Sequence, residues 1–183
     1  MASWHEFAAE APALAALGRE RFESTQVVLL GTLRKHGNPR ITPVEFTFFD
    51  GELCLGGMWQ SRKMLDLTRD PRCVVHSTVT TKNGDEGDFK LSGRALPAED
   101  EGFRARYGAA VLEATGWQPS EPFHLFTIDI REAAFVVFSD EAVRAAAAKL
   151  EGSAGINVAI HGADPNTSGY LVATWPMGKQ PHG

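Results

Sequence analysis

The 183-residue sequence is poor in cysteine, with Cys54 and Cys73 alone, and no Cys or His grouping has metal-ligand spacing. That excludes a disulfide-stapled scaffold and a structural zinc module, and leaves both cysteines as reduced packing residues in strand-like segments. No apolar run reaches membrane-spanning length. The start, MASWHEFAAEAPALAALGRERF, has an early acidic residue and no continuous apolar stretch, so no export signal is read and a cytoplasmic location is expected. Basic charge is also scarce: Lys and Arg number 18 against 23 Asp and Glu, net −5, with no block of one sign. Such a balance argues against nucleic-acid and anionic-membrane partners. Any anion site has to be assembled locally from a few cations. The common catalytic signatures are missing too: no phosphate-binding loop, no Gly-rich dinucleotide fingerprint, no metal-binding His pair and no nucleophile elbow. The six histidines are scattered, and His76, inside a strand beside Ser77, is the best placed of them to meet a ligand.

What is present reads as short strands with a few helices in one domain, 1–183, whose first 22 residues are a helical segment. Ser3 and Glu6 have capping-box spacing. Pro12 suits the first turn of a second helix over 13–22, with Leu14, Leu17 and Phe22 on its apolar face. Strands are predicted at 26–34, 40–49, 52–58, 72–80 and 88–97. The tetrapeptide His36-Gly37-Asn38-Pro39 and the pair Asp50-Gly51 mark turns. In the strand 88–97, alternation puts Phe89, Leu91, Gly93 and Ala95 on one face. A helix is predicted over 99–115, carrying Phe103, Tyr107, Val111 and Leu112. A hairpin follows from 123–130 and 134–138, then a helix over 141–150, strands at 156–160 and 170–175, and a flexible Pro/Gly tail. Strands joined by hairpins do not make a parallel doubly wound sheet; they make a closed or partly closed antiparallel barrel with packed helices.

The segment MWQSRKMLDLTRDPRC carries the one local concentration of anion-binding chemistry. Ser61, Arg62 and Lys63 open a short helix that runs to about Arg69, with Met64, Leu65 and Leu67 as its apolar residues, and Asp70-Pro71 ends it. A helix N-terminus offers unpaired N–H groups and partial positive charge, which suits a phosphate. Cations there oppose the macrodipole, and an anionic ligand supplies a reason for them. Arg40 opens the second strand. If that strand pairs with 52–58, whose end leads into Ser61, then Arg40 approaches Arg62 and Lys63. Pro43 removes a ladder donor, and Gly56-Gly57 would let a flat ring approach the backbone.

The pattern strand, G-x-P-R, strand, D-G, strand, S-R-K-x-x-x-L-x-x-D-P-R, strand resembles the pyridoxamine 5′-phosphate oxidase-like, FMN-binding split-barrel family. The likeness covers roughly Val27 to Ala95, with a weaker echo at LVATWPMG. It implies a mainly β fold, a six-stranded antiparallel Greek-key split barrel with N-terminal and peripheral helices, that forms a homodimer with FMN in clefts between subunits. It also implies roles by position. Arg40, Ile41, Thr42, Pro43 and Val44 resemble the first flavin-contacting strand. Gly57 and Met58 resemble the pair beside the ring, and Arg62 and Lys63, with Ser61 adjoining, the phosphate-binding pair. Asp88 falls near a position held by glutamine in the oxidases. Glu45 stands where those oxidases have a lysine, and their C-terminal arginine-and-histidine substrate motif has no counterpart in T-W-P-M-G-K.

The expectation is therefore an FMN-dependent oxidoreductase acting on a small molecule other than pyridoxine phosphate, with a nicotinamide or other electron donor and no metal. No side chain is singled out as acid or base. Two alternatives stand beside it. One is a deazaflavin-dependent oxidoreductase on the same fold, whose longer acidic tail needs a further basic groove, with Arg19, Arg21 and Lys35 as candidates. The other is a flavin- or haem-binding protein without turnover. In the dimer, helix 99–115 with Trp117 or Trp175 is expected to close the partner's cleft.

Overall fold

Asp50 and Gly51 adopt φ of +52° and +80°, as a two-residue hairpin turn of the primed type requires. They join β3 (Thr47–Phe49) to β4 (Glu52–Met58). The other strands are β1 (Val27–Leu33), β2 (Pro39–Glu45), β5 (Arg72–Ser77), β6 (Asp88–Pro97), β7 (Phe123–Phe138), β8 (Asn157–His161) and β9 (Tyr170–Trp175). The helices are α1 (Trp4–Glu10), α2 (Pro12–Glu23), α3 (Arg62–Arg69), α4 (Glu101–Thr115) and α5 (Asp140–Leu150). The computed structural model describes residues 2–162 and 169–176; the tail read as flexible lies largely outside them. Among the described residues no helix is long and apolar enough to cross a membrane.

All strand pairings are antiparallel, in the order β2-β1-β5-β6-β7-β4-β3, with β9 beside β7 and β8 beside β9. β2 and β3 stand at opposite ends of that path, yet only Phe46 separates them in the chain. The sheet thus curls until its ends meet at one residue with no ladder joining them, and the barrel is split. The expected single strand 40–49 is two strands. Its first part pairs with β1, Arg40 opposite Thr32, and only its last three residues pair with β4. Phe46, at the break, packs its ring near Phe22 and Phe48, 5.6 and 5.4 Å between centroids. Among the described residues nine strands stand where the resemblance implied six, because of this break and the added β8 and β9.

The expected hairpin at 123–138 is instead the single long strand β7. Its register against β6 shifts between Ser92, opposite Glu132, and Gly93, opposite Ile130, so Arg131 is the extra residue of a bulge. The inward set changes parity there, from Ile128 and Ile130 to Ala133, Phe135 and Val137. Gly93 is required at the bulge, since a Cβ would lie 2.2 Å from the Asp129 carbonyl oxygen.

The N-terminal helices cap the core as their sequence indicates. Ser3 and Glu6 form the reciprocal capping box, and Pro12 sits in the first turn of α2. Leu14, Leu17 and Phe22 are buried. Phe22 meets Phe89 of β6 at 5.2 Å, and Trp4 meets Phe48 at 4.5 Å. A fully buried aromatic such as Phe22 or Phe89 contributes about 1.5–3 kcal/mol by burial. α4 starts at Glu101, capped by Asp100, whose carboxylate accepts from the Phe103 N–H at 2.6 Å. Of its expected apolar face Tyr107 is buried, but Leu112 is exposed.

Candidate anion site at the start of helix α3

β4 ends at Met58, and Trp59-Gln60 turn the chain into α3. The turn is fixed from the facing strand: the Gln60 N–H donates to His124 Nε2 at 3.3 Å, and the Trp59 and His124 rings stack at 4.7 Å. Gln60 holds φ +60°, uncommon for a non-glycine residue. Burial, then the neighbouring Arg104, lowers the His124 pKa, which favours the neutral ring that this contact needs. Sequence reading left His124 among the scattered histidines, and nothing local marks it.

Ser61 follows in extended conformation, in the position where serine ordinarily caps a helix. Its hydroxyl makes no capping bond; Oγ is buried without a hydrogen-bond partner. A buried hydroxyl without a partner costs about 1–3 kcal/mol, so this atom is one that a ligand oxygen would satisfy. The backbone N–H groups of Arg62 and Lys63 belong to the first turn, where an α-helix has no internal acceptors. Arg62 is exposed and Lys63 half-buried. The ion pairs formed around this helix engage other cations, namely Arg40, Arg69 and Arg72.

Arg40 reaches α3 by a different route from the one expected. β2 does not pair with β4. Instead Arg40 Nε contacts Asp66 Oδ2 at 2.7 Å, Arg69 Nη1 contacts Oδ1 at 3.1 Å, and the Thr32 hydroxyl donates to Oδ2 at 3.3 Å. Arg69 also donates to the Leu33 carbonyl. Burial would push the Asp66 carboxyl up, but the bonds from Arg40 and Arg69 outweigh it and hold the pKa low. Asp66 is therefore the clamp between α3 and strands β1 and β2. Of the helix's three apolar residues, Met64 and Leu67 are buried as expected, whereas Leu65 is exposed and the carboxylate Asp66 is buried in its stead. The available signal was the spacing Asp66 to Arg69, a helical i,i+3 pair.

Along β2, Ile41 is 72% exposed while the Val44 side chain enters the core. Ile41 and Val74 flank Gly31 in the ladder. Gly56 and Gly57 do not open space for a ring on their side-chain side. A Cβ at Gly57 would fall 2.2 Å from Met64 Cε, and one at Gly56 would fall 3.0 Å from the Tyr107 hydroxyl. Their missing side chains make room for the protein's own. Met58 beside them is 76% exposed.

The remaining candidates are spread out. His76 Nε2 lies 3.6 Å from Asp88 Oδ1, and its Nδ1 is 2.7 Å from the Ser77 carbonyl. Arg19 pairs with Glu23 and lies over the Phe48 ring, and Arg21 pairs with Glu86. Trp175, expected to reach a partner's cleft, is buried in its own chain and bonds Glu10 through Nε1; Trp117 is exposed. A shallow depression of about 560 Å³ lined by Ser3, His5, Glu6, Asp50, Gly51 and Glu52 has an acidic rim and suits no anion. Among the described residues no group of His, Cys, Asp or Glu could hold a metal ion.

The family model for pyridoxamine 5′-phosphate oxidase matches residues 16–137. Three solved structures share the fold. A haem-binding protein from Mycobacterium smegmatis is 20% identical, with 66% of this chain and 53% of that one covered and a TM-score of 0.51. A candidate pyridoxamine 5′-phosphate oxidase from Listeria innocua is 19% identical, with coverages of 62% and 90% and a TM-score of 0.52. A Clostridium acetobutylicum protein of the pyridoxinephosphate oxidase family, related to general stress protein 26, is 15% identical, with coverages of 64% and 83% and a TM-score of 0.50. A search of curated proteins returned no match. With two thirds of its length matched by one family model and its strands arranged as a split barrel, the chain belongs to the pyridoxamine 5′-phosphate oxidase family.

Proposed function

We propose that the start of α3 is the phosphate cradle for FMN and that the protein is an FMN-dependent oxidoreductase acting on a small molecule. The observation behind this is the buried, unpartnered Ser61 Oγ at a helix N-terminus that also carries Arg62 and Lys63. These groups fit a dianionic phosphate: the hydroxyl donates one bond, the first-turn N–H groups donate others, and the two side chains balance charge. Arg40 is the third cation, held in place by Asp66. Ile41, Thr42 and Pro43, the Val44 backbone, and Gly57 with Met58 would flank the ring. When bound, a flavin supplies hydride acceptance and return, and the chain supplies binding, orientation and exclusion of water. Glu45 is exposed at the end of β2 and repels an anionic substrate approaching there, which argues against pyridoxine phosphate. A nicotinamide is the proposed electron donor. The row Ile41–Gly31–Val74, with Ile41 and Val74 exposed, is the surface that a second subunit would cover in a homodimer.

A deazaflavin's longer acidic tail needs a further basic groove, and Arg19 and Arg21, two of the cations proposed for it, pair with Glu23 and Glu86 as Arg40 does with Asp66. The phosphate cradle at α3 therefore favours neither cofactor, and the compound released from the protein decides between them. Haem binding without turnover is the second reading, suggested by the fold shared with the Mycobacterium smegmatis protein. The test is to load the purified chain with FMN, desalt it, record its spectrum and identify the released compound by mass, then add NADPH or NADH. Retained flavin that bleaches with the donor and recovers with an acceptor supports the proposal. A protein that passes through colourless, or that takes up haem in preference, overturns it.

A further inference from the structure

β8 ends the sheet beyond β9, and among the described residues no strand pairs with its other side. The other sheet ends are protected. β2 carries Pro39, Arg40, Pro43 and Glu45, and β3 is three residues long; prolines, charges and shortness are the usual defences of an edge. β8, Asn157-Val158-Ala159-Ile160-His161, has no proline and no Lys, Arg, Asp or Glu, and every residue in it is exposed. Two apolar rows run out to it from the core. The ladders align Phe135, Ala173 and Val158, which are 4%, 0% and 42% exposed, and Val137, Leu171 and Ile160, at 2%, 0% and 58%. Both rows begin in the core and stop in water at β8.

We propose that β8 is a self-association strand, and that its partner is β8 of a second copy of this chain, paired antiparallel about Ala159. In that register Ala159 faces its own counterpart across the two-fold axis. Val158 faces Ile160 of the second copy, Ile160 faces Val158, and Asn157 faces His161. No like charges oppose one another. The row Val137–Leu171–Ile160 then continues into Val158, Ala173 and Phe135 of the second copy, joining the two cores through one sheet. A slip of one residue would set Ile160 against Asn157 and mismatch the apolar and polar faces, so the pattern selects this register. A symmetric pairing of this kind is a two-fold contact, separate from the flavin site and from the Ile41–Gly31–Val74 surface. Where both contacts form, the particle is a pair of dimers, and losing the β8 contact halves its mass.

The test uses the full chain. Light scattering after gel filtration, over a concentration series, compares the wild type with Val158→Lys/Ile160→Lys, which sets lysines opposite lysines in this register. The expected result is a halved particle mass with an unchanged far-ultraviolet spectrum. Mixing that variant with Val158→Glu/Ile160→Glu restores the wild-type mass, because the introduced lysines then face glutamates. Separately, Ala159→Cys places two thiols across the axis. Mild oxidation gives a covalent dimer, whereas Asn157→Cys gives none; Cys54 and Cys73 are buried and do not interfere. A wild-type mass that the lysine pair leaves unchanged overturns the proposal, as does equal cross-linking at 157 and 159. So does protection of β8 amides from hydrogen exchange that persists in the lysine variant, which would mean that the chain covers its own edge.

Discussion

Replacing Asp66 by asparagine keeps the shape of the side chain and removes its charge. In the wild type the Asp66 side chain is 7% exposed and its carboxylate accepts from Arg40, Arg69 and Thr32. The Arg69 side chain is 37% exposed, so solvent screening leaves that pair a small share. The Arg40 side chain is 20% exposed and its contact is short, so most of the loss comes from there. Removing one partner of a buried pair costs about 3–5 kcal/mol, and the retained amide oxygen recovers part of that, so Asp66→Asn should destabilise by about 2–4 kcal/mol. Urea unfolding at neutral pH, with unchanged m, is the assay. Because the folded pKa of Asp66 lies below its ordinary value, its contribution is present above that value and disappears as pH falls through the folded pKa. The gap between wild type and variant should therefore close in acid. A loss below about 1 kcal/mol, or one that does not change with pH, would show that Asp66 is not the clamp holding β1, β2 and α3 together.

Gly57→Ala should destabilise by about 1–3 kcal/mol, because the added methyl takes the place of Met64; an unchanged melting temperature would mean that Met64 moves aside freely. Glu86 accepts from the Thr81 and Thr80 N–H groups, the Thr80 hydroxyl and Arg21. The Thr81 backbone bond leads the set that holds its carboxyl down to about 2 against burial. Glu86→Gln should cost about 1.5–3 kcal/mol in thermal or urea unfolding, with the difference shrinking as pH falls from the ordinary glutamate range towards 2; no loss at neutral pH would refute it. Burial pushes both the Cys54 and Cys73 thiols up to about 12. Ellman's reagent at mildly alkaline pH should therefore label neither until the chain unfolds, and rapid labelling of the native protein would contradict their burial.

The turns and caps were legible because single residues dictate them: the Ser3/Glu6 box, Pro12, Asp50-Gly51, and Asp70-Pro71 after α3. The last strand, 170–175, has its predicted bounds because five of its six residues are apolar or aromatic and Pro176 follows at once. Two features escaped local reading for a shared reason: a change of alternation can end a strand or bend it. Arg131 and Glu132 looked like a turn and are a bulge, held by Gly93 on the neighbouring strand. Phe46 looked like one more strand residue and is the point where the barrel splits. At the site, Ser61, Arg62 and Lys63 stood out by composition. Asp66 and His124 did not, because a buried carboxylate and a turn-fixing imidazole are defined by partners 26 and 64 positions away.

The central claim is that the start of α3 holds a flavin's phosphate. The most direct measurement is the affinity of the wild type and of Arg62→Ala/Lys63→Ala for FMN and for riboflavin, which lacks the phosphate. Charge-assisted bonds contribute about 1.5–3 kcal/mol each, so the variant should lose at least about tenfold in FMN affinity. Its riboflavin affinity should stay as it was. Without ligand it should be no less stable than the wild type, since removing cations from a helix N-terminus relieves about 0.3–1 kcal/mol each. Equal losses for both flavins, or no loss for either, would place the phosphate elsewhere and contradict the account.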